Sequence, residues 1–75
     1  MTKENFLELS TEQITEEIIS DIYDCSLNAS IDYVDEVYTN NVGKIFVNYY
    51  YDGEPCTEIF ASVEDFRFHV KTYGK

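Results

Sequence analysis

The first strong pattern along the chain is an apolar stripe at helical spacing that follows Ser10. Its members are Ile14, Ile18, Ile22 and Cys25. Ser10 has Gln13 three residues later, which is the form of a capping box. This pattern predicts one helix over residues 11–24, and Asn28 is a suitable place for it to stop.

The middle of the chain has the composition and punctuation of β-structure. Residues 33–39 are rich in β-branched and aromatic side chains and favour a strand, although Ser30 could instead cap a short helix there. Residues 44–51 read as a strong strand, with a turn predicted over residues 40–43. Asp52-Gly53 is a hairpin signal, and Pro55 predicts a loop slightly longer than two residues before a third strand over 56–61.

Alternation along the second strand divides its side chains between two faces. We predict that Ile45, Val47 and Tyr49 point inward, whereas Phe46 and Tyr50 point to the opposite face. The hairpin register is not fixed by the sequence, and a slip of one residue would invert this assignment.

A second helix is predicted after Ser62, which can cap it, with Gly74 to end it. Its inward stripe is Val63, Phe66, Val70 and Tyr73. The chain is therefore predicted to be α+β, with an N-terminal acidic helix, a three-stranded antiparallel meander and a C-terminal helix packed on one face.

Length and composition indicate one small domain over residues 1–75. The chain is 44% hydrophobic and 16% aromatic, which argues against disorder. Residues 1–9 are weakly patterned and could form either a helical turn or a flexible arm. Cys25 and Cys56 form no C-x-x-C pair, so we expect two small buried side chains rather than a disulfide.

The net charge of −10 changes this picture, because it is concentrated in one half of the chain. From Glu4 to Gly43 there are ten carboxylates and no Lys or Arg; with Lys3 as the one base before them, residues 1–43 carry −9 of the total. Such acidity excludes direct binding to nucleic acid or to an anionic membrane, both of which need a basic patch. With no apolar signal segment and no membrane-spanning run, we expect a cytoplasmic protein.

Catalytic and metal-binding patterns are missing from the sequence. His69 is the only histidine, and no Ser/His/Asp or Cys/His set is suggested. The spacing of the acidic residues does not match a calcium loop, and the glycines form no phosphate-binding loop. We therefore expect no enzymatic activity, no cofactor and no dedicated metal site.

The carboxylates of the first helix are the candidate binding groups. Residues three or four apart on a helix lie about 5–6 Å apart at Cβ, so rows of carboxylates could stand in for backbone phosphates. The helix contributes Glu12, Glu16, Glu17, Asp21 and Asp24. The next segment extends the charge with Asp32, Asp35 and Glu36, and Tyr33 or Tyr38 could anchor a partner by packing.

Two interpretations of these groups remain open. In the first, they occupy a basic nucleic-acid-binding surface of a protein partner. In the second, the charge serves only solubility, and the chain is an accessory interaction domain that could form a homodimer through a sheet edge or exposed tyrosines.

In outline the chain resembles the small acidic phage-encoded inhibitors of bacterial defence, which include anti-CRISPR proteins and other DNA mimics. The resemblance rests on the short chain, the charge of −10, the predicted acidic helix Thr11–Asp24 and the order helix, meander, helix with Asp52-Gly53 at a hairpin tip. It involves no specific motif, so no individual residue acquires a role from it. The resemblance implies a stoichiometric binder, acting in a bacterial cytoplasm, that blocks a nuclease or another nucleic-acid enzyme.

Overall fold

A computed structural model describes residues 1–75 and has the predicted α+β architecture. Its elements are α1 (Lys3–Leu7), a 3₁₀ turn (Thr11–Gln13), α2 (Glu16–Ile22), a π-helical turn (Tyr23–Leu27), β1 (Tyr33–Thr39), β2 (Ile45–Tyr51), β3 (Glu54–Phe60) and α3 (Val63–Tyr73). The strands form one antiparallel sheet in the order β1-β2-β3. The helices cover one face of the sheet and leave the other uncovered.

The prediction of a continuous helix over residues 11–24 is wrong, because the helical conformation is interrupted at Ile14 and Thr15. The Ser10 N–H donates to Gln13 Oε1 at 2.8 Å, as the capping pattern predicts, but only a 3₁₀ turn follows. Ile14 is extended, with φ −84° and ψ 109°. Thr15 then caps α2, since its Oγ1 accepts a hydrogen bond from the Ile18 N–H at 3.3 Å. A second capping residue five positions after Ser10 therefore starts a separate helix.

The inward stripe of α2 is rotated relative to the prediction. Ile19, Ile22 and Tyr23 are buried, whereas Ile18 is only half-buried and Cys25 is exposed. Because Ile18 and Ile19 are adjacent, either of them can face inward, depending on how the helix is rotated about its axis. The rotation observed here buries Ile19 and also the ring of Tyr23, which is larger than the Cys25 side chain.

The expectation of two buried cysteines is wrong as well. Both thiols are free, and Cys56 is half-buried.

The hairpin between β2 and β3 is tighter than predicted. Tyr51 pairs with Glu54, so the loop consists of Asp52 and Gly53 alone. Their φ angles are +52° and +77°, the left-handed pair that a tight hairpin turn needs. Pro55 does not lengthen this loop but lies within β3, where the free edge of the sheet tolerates a residue without an N–H.

The inner face of the sheet carries the core as predicted. Ile45 and Val47 are fully buried, and Tyr49 packs against the same cluster. Residues 33–39 are a strand, so the helical alternative for this segment is not adopted. Phe6 of α1 is fully buried and meets the ring of Phe66 edge-on at 5.7 Å, which makes the N-terminal segment part of the core.

Helix α3 begins as predicted and covers the β3 side of the sheet. The Ser62 Oγ accepts from the Asp65 N–H at 3.1 Å, and Phe66 and Val70 are fully buried. The prediction that Tyr73 points inward is wrong. It is the last residue of the helix, and its side chain is exposed beside the ring of His69.

Candidate protein-binding surface

The predicted carboxylates are all exposed, but they do not form rows on a single helix. Glu12 belongs to the 3₁₀ turn and Asp24 to the π-helical turn, while Glu16, Glu17 and Asp21 lie on α2 itself. The break at Thr15 therefore separates Glu12 from the helical row in which the sequence placed it. The five carboxylates from Glu12 to Asp24 nevertheless remain exposed along this stretch of the chain.

Glu16 links this stretch to the sheet. Its Oε2 accepts a hydrogen bond from the Thr39 N–H, at the end of β1, at 2.9 Å. Helix α2 packs against β1 along the same side. The contact satisfies a backbone donor on an edge strand, and it brings the acidic helix beside the strand that carries Asp35 and Glu36.

Two further predicted binding carboxylates are used inside the domain. Asp21 Oδ2 lies 2.9 Å from the N-terminal ammonium, and this hydrogen bond holds the pKa of the Asp21 carboxyl below its ordinary value. Asp32 Oδ2 accepts from the Gly53 N–H at 2.9 Å and so ties the start of β1 to the β2–β3 turn. Asp21 and Asp32, like Glu16, therefore have structural roles that the sequence did not reveal.

The other five predicted binding carboxylates have no hydrogen-bond or ion-pair partner in the domain. We call this set, which comprises Glu12, Glu17, Asp24, Asp35 and Glu36, the free acidic set. No Lys or Arg forms an ion pair with any member of this set. Lys3 Nζ donates to the Gly74 carbonyl at 3.0 Å, and Arg67 donates to the Leu9 carbonyl at 2.6 Å. Uncompensated charge of this kind creates a negative field around the α2–β1 side of the domain.

A β-bulge at Asp35 determines which side chains share a face with Glu36. Val34 pairs with Tyr49, and the next paired residue is Glu36, opposite Asn48. Asp35 is therefore the extra residue of the bulge. The shift places Tyr33, Glu36 and Tyr38 together on the uncovered face, whereas regular alternation would separate Tyr33 from the other two.

Aromatic side chains surround Glu36 on this uncovered face. Tyr33 stacks on Tyr50 of β2 with ring centroids 5.0 Å apart, and Tyr38 stacks on Phe46 at 4.8 Å. The outer residues remain accessible, with Tyr33 52%, Tyr38 40% and Ile59 54% exposed. We call this the open sheet face; it comprises Tyr33, Glu36, Tyr38, Phe46, Tyr50 and Ile59.

The sequence identified only part of the open sheet face. Tyr33, Tyr38 and Glu36 were predicted to bind the basic partner, Phe46 and Tyr50 were predicted only for the alternative homodimer contact, and Ile59 was not predicted. Alternation along β2 correctly put Phe46 and Tyr50 opposite the buried residues. Their pairing with the two tyrosines could not be predicted, because it depends on the strand register and on the bulge.

The structure contains no pocket and no group of three or more His, Cys, Asp or Glu side chains arranged to hold a metal ion. No helix has both the length and the apolar character needed to cross a membrane.

Comparison of the chain with protein-family models, with curated proteins and with solved structures finds no match.

Proposed function

We propose that this protein is a non-enzymatic inhibitor that binds another protein and occupies its basic nucleic-acid-binding surface. The observation that carries the proposal is the free acidic set, five exposed carboxylates without an internal partner. These groups lie on α2, on its flanking turns and on the adjacent strand β1. They present negative charge in the place where the partner would otherwise receive phosphates.

Electrostatics supports this role in two ways. Clustered like charges lower the stability of the domain through mutual repulsion. A cationic partner that neutralises them relieves this repulsion, and the relief contributes to the free energy of binding. Complementary charge also speeds association, by one or more orders of magnitude at low salt, and makes binding sensitive to salt. Binding would thus be fast and would weaken steeply as ionic strength rises.

The setting we propose is the cytoplasm of a bacterial host, with the protein acting for a phage against a nuclease-based defence. The support is the resemblance to small acidic inhibitors of the anti-CRISPR type, together with the charge and fold order described above. In this role the protein acts stoichiometrically. It needs no substrate, only a partner whose Lys and Arg side chains normally hold nucleic acid.

The experiment is capture from bacterial lysate at low salt, followed by elution with a salt ramp, with three forms of the protein as bait. The test variant carries Glu17→Lys and Asp24→Lys, which reverse two members of the free acidic set. Asp21 is left unchanged because its ion pair with the N-terminus would confuse the result. The control variant carries Glu8→Lys and Glu54→Lys, which change the net charge equally at exposed positions outside the set.

We expect the wild type and the control to retain the same nucleic-acid-binding protein and to release it with salt. The test variant should lose it, mainly through a slower association rate. Equal retention by the test variant and the wild type at low salt would refute the role of the free acidic set.

A second candidate function is an accessory interaction domain that forms a homodimer, with the charge serving solubility. The observation in its favour is the open sheet face, whose stacked aromatic pairs are uncovered in the single chain. Sedimentation of the wild type at several concentrations, beside Phe46→Ser, separates the two functions. A dimer that the substitution abolishes would favour this second function, and a monomer at all concentrations would favour the inhibitor.

A further inference from the structure

The open sheet face combines a carboxylate with exposed aromatic rings, whereas the free acidic set consists of carboxylates alone. Glu36 is exposed, belongs to the free acidic set and stands between the two stacked aromatic pairs. Tyr38 lies two residues further along the same strand, about 6–7 Å away. A carboxylate is thus flanked by accessible aromatic faces, with Tyr33 and Tyr50 on its other side.

The neighbour of Glu36 across the sheet leaves room for this carboxylate to act on a partner. Asn48 faces it on β2, where its Oδ1 accepts from the Thr57 hydroxyl at 2.8 Å, and no hydrogen bond joins the Asn48 amide to Glu36. Glu36 makes no contact with a cation in the domain. Its two carboxylate oxygens can therefore both accept hydrogen bonds from outside.

We propose that the open sheet face docks an arginine-bearing segment of the basic partner, with a guanidinium bound to Glu36 and laid against the ring of Tyr38 or Tyr33. This inference rests on the proposed function and specifies the chemistry of the partner. The planar guanidinium matches a carboxylate by paired N–H donors and also stacks on aromatic rings. An ammonium is a compact, strongly hydrated point charge and gains less from such a surface.

Charge complementarity favours a cationic occupant over a second copy of this chain. Each copy carries −10, and Glu36 lies within the face itself. A two-fold symmetric contact through this face would bring two like carboxylates together and remove them from water without a counterion. A cationic segment instead neutralises the carboxylate while it covers the rings.

The test is the affinity of the full chain for two capped, labelled peptides of equal length and charge, measured by fluorescence anisotropy. One peptide is built of Arg-Gly-Ser repeats and the other of Lys-Gly-Ser repeats. At an ionic strength of about 20 mM, where screening is weak, we expect the arginine peptide to bind about fivefold more tightly. A charged surface without stacking would bind the two peptides equally.

Variants assign the preference to the open sheet face. Glu36→Gln and Tyr38→Thr should each weaken the arginine peptide about threefold or more and bring it close to the lysine peptide. Matched controls are Glu8→Gln, which removes the same charge outside the face, and Tyr51→Thr, which removes an exposed ring from the other side of β2. Both controls should keep the preference. Thermal melting of every variant establishes that it is folded.

The inference is overturned by equal affinities for the two peptides, by a preference that survives both face variants, or by a preference that either control also abolishes. A concentration-dependent dimer of the wild type that Tyr38→Thr abolishes would overturn it too, since the face would then be occupied by a second copy. Failure here is distinguishable from failure of the proposed function. If lysate capture still depends on Glu17 and Asp24, the inhibitor role stands and only the arginine preference falls.

Discussion

The hydroxyl of Tyr23 is the best place to test the packing of α2 on the sheet. Its side chain is fully buried, and its hydroxyl donates to Glu58 Oε1 at 2.7 Å and accepts from Asn28 Nδ2 at 3.3 Å. Tyr23→Phe removes both hydrogen bonds and leaves the ring in place. We therefore expect a loss of stability without a change of fold.

The magnitude follows from the partners. A hydrogen bond to a charged group contributes about 1.5–3 kcal/mol, and the lower end applies because half-buried Glu58 can be rehydrated. A loss of about 1.5 kcal/mol in a domain of this size lowers Tm by about 6–12 °C. Urea unfolding followed by circular dichroism should show a lower midpoint at unchanged slope.

Tyr49→Phe is the matched control. The ring of Tyr49 lies 5.5 Å from that of Tyr23, but its hydroxyl makes no hydrogen bond within the domain. We expect this substitution to change stability by less than about 0.5 kcal/mol. Equal losses for the two variants would refute the assignment of a specific role to the Tyr23 hydroxyl.

The same pair predicts a pH dependence with a definite sign. Desolvation, and then the hydrogen bond to Glu58, raise the pKa of Tyr23 above its ordinary value of 10.0. The folded state therefore keeps a proton that the unfolded state loses, so the contribution of Tyr23 declines as pH rises above that value. The difference in free energy of unfolding between the wild type and Tyr23→Phe should shrink by about 1.4 kcal/mol per pH unit and vanish at about pH 11. An advantage that stays constant to that pH would contradict the reasoning.

Substitutions at four further positions test the corrected fold by thermal and urea unfolding. Ile19→Ala should cost about 2–5 kcal/mol and Ile18→Ala clearly less, because only the first is fully inward; equal costs would restore the predicted stripe. Phe6→Ala should cost about 3–5 kcal/mol through the lost contact with Phe66, and a cost near zero would make the N-terminal segment a mere arm. Thr15→Ala should cost about 1 kcal/mol, whereas Thr15→Ser should restore most of it; no loss in the alanine variant would argue for a continuous helix.

Local signals predicted the elements whose chemistry is local. The Asp52-Gly53 turn, the cap at Ser62 and the buried pair Phe66 and Val70 all follow from residues close in sequence, and the structure confirms them. The α+β order follows from the same signals. Segments with two competing signals were harder to predict. Thr15 offered a second cap inside an apolar repeat, and Pro55 suggested a loop where a free sheet edge accepts it.

The candidate site was predictable by residue type but not by arrangement. That the carboxylates would be exposed follows from their composition and spacing. Glu16, Asp21 and Asp32 instead found partners more than fifteen residues away in sequence, which no local pattern reveals. The bulge at Asp35 likewise depends on pairing with β2, and it alone brings Tyr33 onto the face of Glu36.

The most direct test of the central claim is competition on the captured partner. The purified partner is first saturated with the fluorescently labelled protein, and its own nucleic acid is then titrated in at constant low salt. Our account predicts mutually exclusive binding, so the nucleic acid displaces the labelled protein completely. The apparent affinity of the protein for the partner then falls in proportion to the concentration of nucleic acid. A stable ternary complex, in which partner, nucleic acid and protein remain bound together, would contradict the claim that the free acidic set occupies the nucleic-acid-binding surface.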